Sequence, residues 1–154
     1  MSKEGSSVVD FGMTLHVRDH CLCLHTQRAA RAMSRRFDEA MKPLGLRSGQ
    51  FSLLMSLNRK EPPTLGSVSD LLGMDRTTLT SNLKPLERRG LVVSRSDAKD
   101  RRTRRLSLTG KGQALLAAAV PIWQRTHEEI EAAFESDANA LRRDLDLLTA
   151  AARS

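Results

Sequence analysis

The stretch Thr64–Gly112, TLGSVSDLLGMDRTTLTSNLKPLERRGLVVSRSDAKDRRTRRLSLTGKG, constrains this chain more than any other. It reads as a short helix, a Gly-containing turn, a second helix, two short strands around an Arg-loaded loop, and the start of a further helix. A helix-turn-helix followed by a basic β-hairpin has few uses other than gripping duplex DNA. Charge is focused there too. Between Lys84 and Arg105 nine bases stand against Glu87, Asp97 and Asp100, so six of the seven net positive charges lie in one stretch. Such focusing points to a binding face for an anionic partner.

The rest of the chain reads as helices. At 154 residues it is long enough for one domain, or a small domain with an appended interface. Aromatics make up only 3%, so the core must be aliphatic, which suits Leu at helical spacing. Residues 1–13 are expected to form a mobile arm. A first helix is expected to start at Thr14 or Asp19 and run to about Lys42, where Pro43 and Gly45 stop it. Ser48 is expected to cap a second helix, and Pro62–Pro63 breaks the chain after it. Thr64 caps a third helix, closed by Gly73, and Asp75 caps a fourth, ended by Gly90. Leu91–Val93 and Leu106–Leu108 read as strands around a Ser94–Arg105 loop. Thr109 caps a long helix reaching Ile130 or Phe134, and Asp137 or Asn139 starts the last. The fold class is therefore mainly α with a small hairpin wing. Residues 47–109 form the winged helix-turn-helix, flanked by helical regions over residues 14–46 and 110–154. The apolar residues of the last two helices exceed what a small winged helix can cover, which marks an interface.

Helical phase sorts the Asp75–Arg89 segment into faces. Leu79, Leu83 and Leu86 form an inward stripe; Thr77, Ser81, Lys84 and Arg88 lie opposite, with Thr78 and Thr80 at the flanks. Small hydroxyls near the N-terminus allow close approach to base edges, and the cations reach phosphates. Arg76, Thr77 and Thr78 sit where the free N–H groups and dipole of the helix favour a phosphate. A merely solvated amphipathic helix is the alternative, which the preceding helix and Gly73 turn oppose. Pro85 is expected to bend the helix. In the loop DAKDRRTRR, five Arg/Lys residues are too polar for a core. Arg101, Arg102 and Arg104 suit phosphates or the narrow minor groove. Asp100 is expected to orient the Arg102 guanidinium by a bidentate pair.

The pattern DRTTLTSNLKPLERRGLV followed by DAKDRRTRRLSLTGKG resembles the MarR (multiple antibiotic resistance regulator) family of bacterial transcription factors, from about Arg18 to Leu148. Asp100–Arg101–Arg102 followed by Leu108–Thr109 is its most specific part. The resemblance implies an obligate homodimer whose first and last helices intertwine, with recognition helices reading a pseudo-palindromic operator. It makes Arg102 the wing-tip minor-groove residue. It also implies repression relieved by a small effector at the crevice between dimer and DNA lobes.

Three of the four His and both Cys fall in His16–His25. On one continuous helix His16, His20 and Cys23 share a face. Three readings stay open. One is a thiol switch through Cys23, with Cys21 nearby in the first turns, where the dipole lowers thiol pKa. The resemblance places Cys23 where the hydroperoxide-sensing branch has its reactive Cys, but Phe37 and Ser48 stand where that branch supplies Tyr hydroxyls. A second is metal capture by His16, His20 and Cys23, for which the chain offers no fourth ligand. The third is plain packing of small Cys at the dimer interface, with solvated His. Trp123 is either dimer-core packing or an effector-crevice wall. No cofactor is expected. The absence of a long apolar run and of a signal-peptide pattern points to the cytoplasm and away from membranes. An enzyme, such as a thiol peroxidase using Cys23, lacks the constellation it needs elsewhere. A winged helix reused for protein contact would put the wing bases on an acidic partner.

Overall fold

The computed structural model of the chain describes residues 8–153. In order, α1 spans Phe11–His20, α2 Leu22–Met41, a 3₁₀ turn Lys42–Leu44, α3 Ser48–Leu57, α4 Leu65–Leu72 and α5 Arg76–Arg88. Then follow β1 Val92–Ser96, β2 Arg104–Leu108, α6 Gly110–Ala133 and α7 Ala138–Arg153. The two strands pair antiparallel, from Val92 opposite Leu108 to Ser96 opposite Arg104. This is the mainly helical fold with a hairpin wing that the sequence predicts.

The caps explain most boundaries. Thr64, Asp75 and Thr109 each accept a hydrogen bond from the backbone N–H three residues on, at 3.1, 2.7 and 3.0 Å. Asp137 does the same for Ala140 and opens α7. Helix α5 ends in a Schellman arrangement: Gly90 (φ 69°) donates to Glu87 O, and Leu91 to Leu86 O. Gly73 (φ 61°) makes the tight turn between α4 and α5, and Met74 N donates back to Ser69 O.

Several expectations are corrected. Of the arm, residues 1–7 lie outside the described residues, but Phe11–Met13 are already helical because Asp10 caps α1. The first helix is two helices: Cys21 is extended (ψ 105°), and its thiol takes the N-cap role for α2, accepting from Leu24 N at 3.4 Å. Ser48 is the first residue of α3 rather than its cap. Its N–H is taken by Asp38 Oδ1 at 2.6 Å, while Gln50 Oε1 accepts from Arg47 N. Both strands are also longer than expected, so the wing tip shrinks to residues 97–103. Pro85 does not interrupt α5. The carbonyl it frees is that of Ser81, on the exposed side of the helix, where water can satisfy it.

The core is aliphatic and runs beneath the helix-turn-helix: Met41, Leu53, Leu54, Val68, Leu79, Leu86, Leu91 and Leu106 are essentially inaccessible. Helix α2 packs on α6, and α3 is the hub that meets α2, α4, α5 and α6. Arg36 of α2 pairs with Glu129 of α6. By contrast, α1 and α7 bury no residue at all, and Phe11, Leu141, Leu145 and Leu147 are 72, 42, 42 and 69% exposed. Exposed apolar side chains in this number, along α7 above all, mark an interface.

The start of α6 approaches the wing very closely. Thr109 N and Oγ1 donate to Leu91 O and Gly90 O, at 3.0 and 2.6 Å. A Cβ on Gly112 would lie 2.1 Å from Leu91 O, whereas one on Gly110 would meet nothing within 4 Å. Gly112→Ala is therefore expected to destabilise the protein by about 2 kcal/mol or more. Gly110→Ala should leave stability unchanged or raise it by up to about 1 kcal/mol. Urea unfolding of the two variants checks the contrast.

Candidate nucleic-acid interface

Burial of Leu79, Leu83 and Leu86 turns the opposite side of α5 outward. Arg76, Thr77, Thr78, Ser81, Lys84 and Arg88 are exposed, and Thr80 is half-buried. Thr78 has a second task, because its hydroxyl donates to Asp75 Oδ2 at 2.9 Å and completes the cap. These bonds hold the Asp75 carboxyl below the ordinary carboxylate range, with the Thr78 N–H as the largest cause and its hydroxyl next. Asn82, which sequence reasoning passed over, bonds Thr78 O and is half-buried. The side chains of Arg76, Lys84 and Arg88 have no partner among the described residues, so their charge stays available.

The wing is built by side-chain bonds that a linear reading misassigns. Asp100 does not pair with the Arg102 guanidinium. Its Oδ1 accepts from the Arg102 backbone N at 3.0 Å and its Oδ2 from Thr103 Oγ1 at 3.1 Å. It shapes the turn and leaves the Arg101 and Arg102 guanidinium groups exposed and unpartnered at the tip. The Asx geometry D-x-R satisfies a backbone donor locally, which competes successfully with a bidentate side-chain pair. Asp97 accepts from Lys99 N at 2.7 Å and from Arg105 Nε at 2.5 Å. These two bonds, the first the larger, hold its carboxyl below the usual range.

Period-two alternation then divides the bases of β2. Arg104 lies on the Leu106 side, facing α5, and its Nε donates to Ser94 Oγ at 2.7 Å. With Thr80, Lys84 and Glu87 it lines a 210 Å³ cleft between helix and wing. Arg105 lies on the other side. Arg89 is likewise diverted: its two Nη groups donate to Gly45 O and Leu44 O at 2.7 and 3.0 Å, tying the end of α5 to the turn after α2. Sequence reasoning missed both structural roles, although the strand phase separates Arg105 from Arg104.

The N-terminal cluster does not assemble as expected. The break at Cys21 removes the continuous face on which His16, His20 and Cys23 were to meet. His16 and His20 stack on each other at 4.2 Å, with His20 Nδ1 against His16 O. Among the described residues no three His, Cys, Asp or Glu side chains are grouped to hold a metal. Cys23 is exposed in the first turn of α2 and accepts from Gln27 Nε2 at 3.1 Å; Cys21 is half-buried as the cap. Trp123 stands between Phe51 (6.4 Å) and His127 (5.0 Å). It lines an apolar crevice of 460 Å³ with Phe51, Met55, Leu72 and Val120, where α3, α4 and α6 meet.

Comparison with known proteins follows the same division. A model described as MarR family matches residues 44–103, the helix-turn-helix and most of the wing. The organic hydroperoxide resistance transcriptional regulator of Bacillus subtilis (strain 168) is 30% identical over 101 residues, covering 66% of this chain and 69% of the relative. The chain belongs to the MarR family of winged-helix transcriptional regulators. The M. tuberculosis transcriptional regulator MosR, solved in complex with DNA, is 39% identical with a TM-score of 0.80, over 87% of this chain and 97% of that one. The transcriptional repressor CouR, bound to a 23-mer DNA duplex, is 28% identical with a TM-score of 0.70, over 96% of this chain and all (100%) of that one. The likeness thus extends beyond the winged helix into the helices on either side.

The cap at Asp75 gives a direct check on how this MarR-family interface is held. Asp75→Ala should lower the midpoint of a denaturant melt, since it orphans the first turn of α5. The folded carboxyl titrates below its ordinary value near 3.9, so its contribution is complete above about pH 4 and fades as pH falls through the folded pKa. Asp75→Asn, which caps without titrating, should flatten that part of the stability–pH curve.

Proposed function

We propose that this MarR-family protein binds a pseudo-palindromic operator as a homodimer and represses transcription, with a small effector modulating its affinity. The observation that carries the reading is exposed, uncommitted charge beside exposed hydroxyls. Arg76, Lys84 and Arg88 on α5, and Arg101 and Arg102 on the wing tip, are exposed cations without partners among the described residues, and the same helix carries the hydroxyls of Thr77, Thr78, Thr80 and Ser81. In this reading α5 enters the major groove and Arg102 the adjacent minor groove, with Arg104 on a phosphate between them. Residues 47–109 form the DNA-binding domain, while residues 14–46 and 110–154 supply the dimer interface through the exposed apolar residues of α1 and α7. The relatives solved on DNA support the partner class. Two-fold symmetry puts the half-sites about one helical turn, roughly 10 bp, apart. The effector would occupy the Trp123 crevice. No helix among the described residues is long and apolar enough to cross a membrane. The protein acts in the cytoplasm as a binder, not an enzyme.

Arg102→Ala should weaken operator binding by about 1–3 kcal/mol and relax A·T preference beside the half-sites. Lys84→Ala should lower the salt slope by about one unit while leaving base preference intact. Fluorescence anisotropy titrations across salt, on duplexes enriched by the protein from a random pool, separate the two roles. Wild-type affinity in Arg102→Ala refutes the wing assignment.

A second reading, a thiol switch, is favoured by one contact: the exposed Cys23 sulfur sits in the first turn of α2 with Gln27 Nε2 at 3.1 Å. Cys23→Ser should then bind DNA normally but resist release by peroxide. Release of the variant at wild-type peroxide concentrations sinks this reading and leaves the first intact.

A further inference from the structure

Arg105 stands in the most basic part of the chain, yet its guanidinium is engaged by the protein. Nε donates to Asp97 Oδ2 at 2.5 Å and Nη1 to the Pro62 carbonyl at 2.8 Å. Its backbone bridges to Thr64, and the next residue, Leu106, donates its N–H to Pro63 O at 3.0 Å. Thr64 is the cap of α4, the first helix of the helix-turn-helix. Asp97 opens the tip turn, holding Lys99 N on its other oxygen and closing the tip through its own N–H to Thr103 O at 2.8 Å. One planar fork therefore joins the turn that carries Arg102 to the strap that leads into the reading helices.

From this geometry we infer that Arg105 is a positioning residue, a clasp that fixes the wing tip relative to α5, and not a further DNA contact. The inference rests on the DNA-binding reading above. A two-stranded hairpin of five residues per strand is marginally ordered by its own bonds. Without the clasp the tip swings about its base, and ordering it on DNA subtracts from affinity. The pair differs from an ordinary surface ion pair, which contributes little. Its carboxylate side chain is only 12% exposed, and the guanidinium bonds in two directions to separate segments. A lysine, a point charge on a flexible stem, cannot reproduce both bonds. Arg105 also lies on the strand face away from Arg104 and α5, where it shares a hollow with Pro62, Asp97 and Ser107.

Asp97→Asn decides between clasp and simple charge. The amide has a single acceptor oxygen, so with Lys99 N held it offers Arg105 only an NH2 group, and it removes a negative charge beside the interface. Electrostatics alone makes this variant bind DNA more tightly; the clasp makes it bind more weakly. On duplexes enriched by the wild-type protein, Asp97→Asn and Arg105→Ala are each expected to lose about tenfold in affinity with an unchanged salt slope. Arg105→Lys should behave like Arg105→Ala, and Arg102→Ala should add little in either background. Amide exchange over residues 97–104 of the free protein should quicken several-fold in both clasp variants. Tighter or equal binding by Asp97→Asn, a slope reduced by one in Arg105→Ala, wild-type affinity in Arg105→Lys, or unchanged exchange would each overturn the clasp. If instead the wild-type protein enriches no duplex while exchange still quickens, the DNA reading fails and the clasp stands. The near-isosteric Asp97→Asn serves where Arg105→Ala does not fold.

Discussion

Burial of Leu79, Leu83 and Leu86 against the core around α3 is the contact on which the rest of this molecule depends. Each side chain gains about 2 kcal/mol on leaving water, far more than any single polar bond on the opposite face can return. Three such residues at i, i+4 and i+7 leave α5 one rotational setting. The hydroxyls and cations therefore face out because the leucines cannot. Leu106, fully buried and bonded through its N–H to Pro63 O, brings the hairpin onto the same core. Helix and wing become two prongs of one rigid body.

That rigidity explains the unequal fates of the bases. A guanidinium near a free carbonyl, carboxylate or hydroxyl takes it, since charge-assisted bonds outbid water where geometry is preset. Arg89 finds the ends of Leu44 and Gly45, Arg105 finds Asp97 and Pro62, and Arg104 finds Ser94. Those at the turn tip and along the outer face of α5 find no partner among the described residues. The positive charge is thus divided between holding the reading head in shape and presenting it. Net charge counted along the chain merges the two.

The N-terminal region shows how a short-range feature can undo a pattern. Four- and seven-residue spacings align His16, His20 and Cys23 only while one helix persists. The thiol of Cys21 caps a new helix instead, and the common face is lost. No Pro or Gly marks the position, and Cys is a poor cap by propensity, so nothing local announces the break. Phe11–Met13 were hidden for a related reason: Asp10 is a good cap, but the Ser/Gly-rich residues before it read as arm.

The order of elements from α3 onward, the caps at Thr64, Asp75 and Thr109, the glycine stops at Gly73 and Gly90, and the outward set on α5 were all determined by the sequence alone. Each follows from helical period or from bonds spanning three or four residues, and such ranges survive in one dimension. Tertiary structure alone decided which arginines are spent on the fold, how Asp97 and Asp100 divide their oxygens, and why Gly112 must lack a side chain. Those outcomes hang on carbonyls and carboxylates that separate elements bring together, 45 residues apart in the case of Arg89 and Leu44 and 93 in that of Arg36 and Glu129. No periodicity encodes that kind of proximity; only packing creates it.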